Sequence, residues 1–103
     1  MFIARVIGSV VSTKKDEAMK GRKLVLLRPQ LVDEANPAQL RSGANTIVAV
    51  DALGAGLDEL VLFCQGSSAR QATGMKTLPV DAVIVGLVDV VDVLNKQIYP
   101  AKK

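Results

Sequence analysis

Histidine and tryptophan are absent from the 103 residues, cysteine occurs once, at Cys64, and the aromatic set is two phenylalanines and one tyrosine. Without histidine there is no imidazole to act as a base near neutral pH or to ligate a metal. A single cysteine cannot close a disulfide within the chain or supply a multi-cysteine zinc site. The longest stretch free of charge, Leu60 to Ala69, is ten residues, whereas a membrane-spanning helix needs about 20 predominantly apolar ones. No basic segment followed by an apolar run marks a secretory leader, so the sequence reads as soluble and cytoplasmic, with no membrane partner. Thirteen basic against ten acidic residues give a net charge of +3, too small for a chain built around phosphate neutralisation.

What is present is apolar material: half of the residues, with 22% charged, enough for one core and against disorder. The chain reads as one domain over residues 1–103, a barrel to about residue 94 and a tail over 95–103. Val, Ile and Thr account for 24 residues, in short runs separated by Gly, Pro and polar clusters, which is the signature of strands. The expected strands run from Phe2 to Thr13, with a bend or bulge at Gly8, from Lys23 to Arg28, from Thr46 to Leu53, from Glu59 to Gln65 and from Asp81 to Leu94. Pro29 should end the second, leaving Pro29 to Asn45 as a loop with at most a helical turn. Gly54-Ala55-Gly56 should form a tight hairpin between the third and fourth. Gly66 to Pro79 reads as a polar loop. The last strand is apolar on both faces, Val83, Val85, Leu87, Val91 and Val93 on one and Ile84, Val88, Val90 and Leu94 on the other, more than a monomer covers. Five such strands suggest a small barrel of the oligonucleotide/oligosaccharide-binding (OB) type with short helical turns and apolar surface left for subunit packing.

Catalytic motifs are missing. Gly54-Ala55-Gly56 precedes a strand rather than the helix a phosphate loop requires. Cys64 lies in an apolar strand with no base near it in sequence, and reads as a small hydrophobe. Asp51, Asp81, Asp89 and Asp92 have the spacing of neither a general acid–base pair nor a metal site, and suit turns, caps and salt bridges. An OB-type barrel with six basic and two acidic residues in Met1 to Lys23 makes a single-strand nucleic-acid binder the alternative reading, but Phe2, Phe63 and Tyr99 are its only base-stacking platforms, which disfavours it. Val80 to Asn95 carries three Asp and no base, so complementary faces could meet between subunits. Gly66-Ser67-Ser68-Ala69-Arg70 fits two readings, a loop with a solvated Arg or a close subunit seam in which Arg70 grips a carboxylate or carbonyls.

Taken in order, Val6-Ile7-Gly8-Ser9-Val10-Val11-Ser12-Thr13-Lys14-Lys15, Gly21-Arg22-Lys23-Leu24, Asp51-Ala52-Leu53-Gly54-Ala55-Gly56, Gly66-Ser67-Ser68-Ala69-Arg70 and Pro79-Val80-Asp81 resemble the EutN/CcmL family of bacterial microcompartment vertex proteins. The resemblance implies a five-stranded OB-like barrel that assembles as a homopentamer and caps the five-fold corners of a polyhedral shell. It implies no reaction and no cofactor. The implied partners are further copies of the chain, hexameric shell tiles and the enclosed enzymes. Gly54, Ala55 and Gly56 match the family's turn, and Gly66, Ser67, Ser68, Ala69 and Arg70 its small-residue loop, both assigned to assembly. Leu57-Asp58-Glu59-Leu60 departs from the glycine and aromatic many relatives carry there. The Gly66–Arg70 block followed by Gln71-Ala72 is slightly closer to catabolic compartments than to carboxysomes.

Overall fold

A computed structural model describes residues 1–13, 17–72, 75 and 80–100; the motif residues Lys14, Lys15 and Pro79 lie outside that range, as do the side chains of Ser68 and Arg70. Among the described residues eight strands form in chain order, β1 (Phe2–Val10), β2 (Leu24–Val32), β3 (Leu40–Ser42), β4 (Ile47–Val50), β5 (Leu60–Gln65), β6 (Ala82–Leu87), β7 (Val91–Val93) and β8 (Lys96–Tyr99), with short 3-10 turns η1 (Glu17–Met19) and η2 (Gly66–Gln71). The large sheet runs β1-β5-β6-β4-β2-β3, and a further β1–β2 pairing closes five of its strands into a barrel. All pairings are antiparallel except β4 with β6, joined at Val50 and Val83. This is the OB-like barrel expected from the strand pattern.

Alternation along the strands fills the barrel. Ala4, Val6, Val25, Leu27, Ala49, Val61, Phe63, Ala82 and Ile84 form the inner core, and Ala55 joins them. Phe63 is its largest member, 1% exposed, and its ring lies 5.6 Å from that of Phe2. A second cluster, Val50, Ala69, Met75, Val80 and Val83, sits outside the β4–β6 wall and is joined by Met19, Leu24, Cys64 and Ala72. Cys64 is a half-buried free thiol packed there, as a small hydrophobe would be. At Gly8 the β1–β2 register shifts by one residue, and a β-carbon there would meet the Leu26 side chain at 3.4 Å, an ordinary contact. The bulge expected at this glycine is therefore present.

Four expectations are corrected. Strand β2 does not stop at Pro29 but continues to Val32. Pro29 faces β3 just past that short pairing, where its carbonyl accepts from the Gly43 amide at 2.8 Å, so the missing N–H costs one bond at a frayed end rather than a rung. Residues 29–45 are accordingly a β2–β3 arm rather than a loop, and its tip is folded by side chains: Asp33 and Asn36 accept from the amides of Ala35 and Ala38, the Asx turns these residues favour. The segment 54–56 is not a hairpin, because β4 and β5 are not neighbours; β4 is flanked by β2 and β6, and the chain must cross the barrel end to reach β1 and β6. The last strand breaks after Leu87, and β7 and β8 form a separate hairpin, turned at Leu94 and Asn95 with φ of 51° and 64°. Its Tyr99 hydroxyl accepts from the Leu60 amide at 3.3 Å, tying residues expected as tail to the barrel wall.

Truncating Phe63 to Ala should lower the unfolding free energy by about 3–5 kcal/mol. Urea titration followed by circular dichroism checks this; a loss below about 1 kcal/mol would mean the barrel interior collapses around the gap.

Candidate assembly surface

The segment crossing the barrel end is organised by one buried carboxylate. Asp51 follows β4 and is 5% exposed. Its Oδ1 accepts from the amides of Leu53 and Gly54 at 2.9 and 3.0 Å, and its Oδ2 from that of Ala55 at 2.8 Å. The Lys23 ammonium stands 3.5 Å from Oδ2 and donates to the Ala55 carbonyl at 3.3 Å. Three amides and one cation thus replace the water a carboxylate loses on burial. Gly54, at φ +85°, supplies the left-handed residue that lets consecutive amides converge on one oxygen. Of the four aspartates considered from sequence, Asp51 therefore serves a turn and a salt bridge. The Asp51-x-x-Gly54 spacing is the sequence signal for this; Lys23 as its partner had none.

Beyond Gly56 the segment is pinned to β1. The Asp58 amide donates to the Val6 carbonyl and the Val6 amide to the Glu59 carbonyl, at 2.9 and 3.0 Å, and Arg5 Nη1 donates to the Asp58 carbonyl at 2.7 Å. Gly56 donates to Glu59 Oε1, and a β-carbon there would fall 2.6 Å from the same oxygen.

The other motif loop is η2. Gly66, at φ +68°, donates to the Asp81 carbonyl at 2.7 Å, which holds the start of η2 at the foot of β6. The two loops are not brought into one site: Ala55 belongs to the inner core and Ala69 to the outer cluster. Both alanines are buried in their own chain, whereas Gly54, Gly66 and Ser67 are exposed.

Apolar residues remain uncovered. Val48, Leu53, Leu57, Val85 and Leu87 are exposed, as are Ile7 on β1 and Leu31 and Val32 on the arm. Leu53, Ala72, Met75, Val83 and Val85 line a groove of about 500 Å³ beside β6. Val85 is the extra residue at a bulge between β5 and β6. A chain this small rarely leaves so much large apolar surface in water. Among the described residues no group of three or more His, Cys, Asp or Glu could hold a metal. Of the three aromatic residues Phe63 is buried and Tyr99 half-buried at the barrel wall, so Phe2, exposed although it packs against Phe63, is the one ring open to a base.

Comparison with known proteins gives one answer. The family described as ethanolamine utilisation protein EutN/carboxysome matches residues 1–89. The carboxysome shell vertex protein CcmL of Gloeobacter violaceus is 48% identical over 99% of this chain and 96% of its own, and its solved structure superposes with a TM-score of 0.83, covering all of both chains. The microcompartment shell vertex protein GrpN of Rhodospirillum rubrum is 42% identical over 92% of this chain and all of its own. A solved structure described as the GrpN pentameric microcompartment shell protein matches with a TM-score of 0.73 at 40% identity, over 90% of this chain and 100% of that one.

Replacing Asp51 with Ala strips three amides of their acceptor and Lys23 of its partner, and should destabilise the fold by about 3 kcal/mol. Amide exchange at Leu53, Gly54 and Ala55 should accelerate with it. Exchange as slow as in the wild type would show that the carboxylate does not hold the crossing.

Proposed function

The chain belongs to the EutN/CcmL family, and on that premise we propose that it is a shell vertex protein: a structural protein, not an enzyme, that forms homopentamers in the shell of a bacterial microcompartment in the cytoplasm. The observation that carries this is the pairing of family membership, with a pentameric shell protein among its structural matches, and an apolar outer wall that one copy leaves uncovered. A flat layer of hexagonal tiles cannot close without five-fold corners, and a ring supplies one when a head-to-tail interface closes after five copies. Such an interface joins two different patches of the chain. The groove of Leu53, Met75 and Val85 beside β6 is the patch we assign to one side of the seam.

The loops matched to the family remain part of this proposal. Gly66 through Arg70 start at the foot of β6, whereas Gly54, Ala55 and Gly56 lie against β1 and β2, and the buried Ala55 and Ala69 act by shaping their loops rather than by touching a neighbour. Flat hexameric tiles around the corner are the further partners, and enclosed enzymes come after them. Relatives from carboxysomes and from other microcompartments match at overlapping identities, which lends the catabolic leaning no support.

Changing Val85 to Asp puts a charge into the seam while leaving the barrel interior untouched, so the variant should keep its strand spectrum and run at the mass of one chain. A variant still assembled as the wild type removes β6 from the seam. Arg70→Ala should weaken the ring by about 1–3 kcal/mol if the guanidinium makes a buried interfacial bond; unchanged dissociation on dilution excludes it. In cells, loss of the protein should leave shells unclosed or elongated in electron micrographs, and normally closed shells would contradict the vertex role.

A further inference from the structure

The barrel register places two arginines side by side. Arg5 of β1 lies directly opposite Arg28 of β2, an arrangement of like charges that is unfavourable by itself. Neither has a carboxylate within ion-pair distance among the described residues, whose ion pairs are Lys20–Glu17 and Lys23–Asp51. Each guanidinium is instead oriented by a neutral acceptor, Arg5 by the Asp58 carbonyl at 2.7 Å and Arg28 by the Thr46 hydroxyl at 3.1 Å. Arg28 Nε is enclosed with no acceptor. Two planar forks are thus held in place with donors unused, a constellation that suits carboxylates.

Matching acids stand elsewhere on the same chain. Arg28, Arg5 and Leu60 form one row of strand neighbours across β2, β1 and β5, and the Leu60 carbonyl accepts from the Val88 amide at 3.0 Å. The residue after Val88 is Asp89, at the far end of that row, and Asp92 follows on β7; both are exposed, and neither carboxylate has a partner among the described residues. The cations lie on the β1–β2 wall and the acids on the extension of β6, past Val85. The two sets lie on different walls, the relation that a head-to-tail interface brings into contact. We infer that Asp89 and Asp92 of one copy seat on the Arg5–Arg28 pair of the next, forming the charged rim of the apolar seam along β6. The inference rests on the ring reading above and adds its polarity: the β6 side of each copy faces the β1–β2 side of its neighbour.

Charge exchange tests it. Three variants are compared with the wild type by light scattering across dilution and salt: Arg28→Glu, the pair Asp89→Arg and Asp92→Arg, and the chain carrying all three changes. The first two should each raise the dissociation constant of the ring about tenfold or more, as expected when one side of an interfacial charge pair is reversed. The third should recover part of the loss suffered by the Asp89 and Asp92 variant, because the carboxylate introduced at position 28 faces the two new cations while Arg5 stays positive. Because Arg28 is bonded to Thr46, circular dichroism must show that its variant folds. Asp89 and Asp92 are exposed and their side chains bond to nothing among the described residues, so their variant decides the matter even if the first is unfolded: a ring as tight and as salt-sensitive as the wild type overturns the inference. Failure of the triple variant to improve on the Asp89→Arg, Asp92→Arg variant also overturns it. A wild type that never forms a ring would overturn the ring reading itself, which separates that failure from this one.

Discussion

Closing five short strands into a barrel gives each strand one inward face, and the room inside is set by strand number. Ala4, Ala49 and Ala82 stand among Val, Leu and Phe in that interior, and small residues alternate with large ones because so narrow a barrel cannot hold a large side chain at every inward position. Everything apolar that the strands carry on the outside needs other cover. The chain provides part of it: Ala69 of η2, Ala72 and Met75 lie over Val50 and Val83, and the β7–β8 hairpin ties down over Leu60 through Tyr99. Val48, Leu53 and Val85 remain. That remainder links fold to function, since exposed apolar surface next to a rigid wall is what an obligate seam is made from.

The barrel end shows how rigidity is obtained without a disulfide. A buried carboxylate with three amides and a half-exposed ammonium fixes the segment between β4 and β5, and strand-like bonds from Asp58 and Glu59 pin its far side to β1. A ring tolerates little play, because an angular error in each subunit is repeated at every seam before the ring closes. The glycines of this segment serve its folding: Gly54 supplies a positive φ, and Gly56 leaves space for the Glu59 carboxylate.

Much of this was legible in the sequence. The Val, Ile and Thr runs located the barrel strands, Gly8 marked its bulge, and the apolar excess of the Asp81–Leu94 segment announced surface in need of a partner. What was not legible is pairing. A Gly-x-Gly between two strands signals a hairpin when the strands are neighbours, and nothing local says that β6 already occupies the edge of β4. Pro29 reads as a stop because a proline inside a sheet normally is one; that it falls just past the end of β3 is a fact of register. The Arg5–Arg28 juxtaposition was hidden in the same way, by 23 residues of separation and a bulge. Ordered motif blocks carried the identification of the family where composition stopped at an OB-like barrel.

The proposed vertex role depends on the association of five copies through the walls of a preformed barrel. Its most direct test is the absolute mass of the purified protein by light scattering on a sizing column, over a range of dilutions. Five times the 10.9 kDa of one chain, persisting on dilution, is the predicted result. The mass of a single chain at every concentration would contradict it.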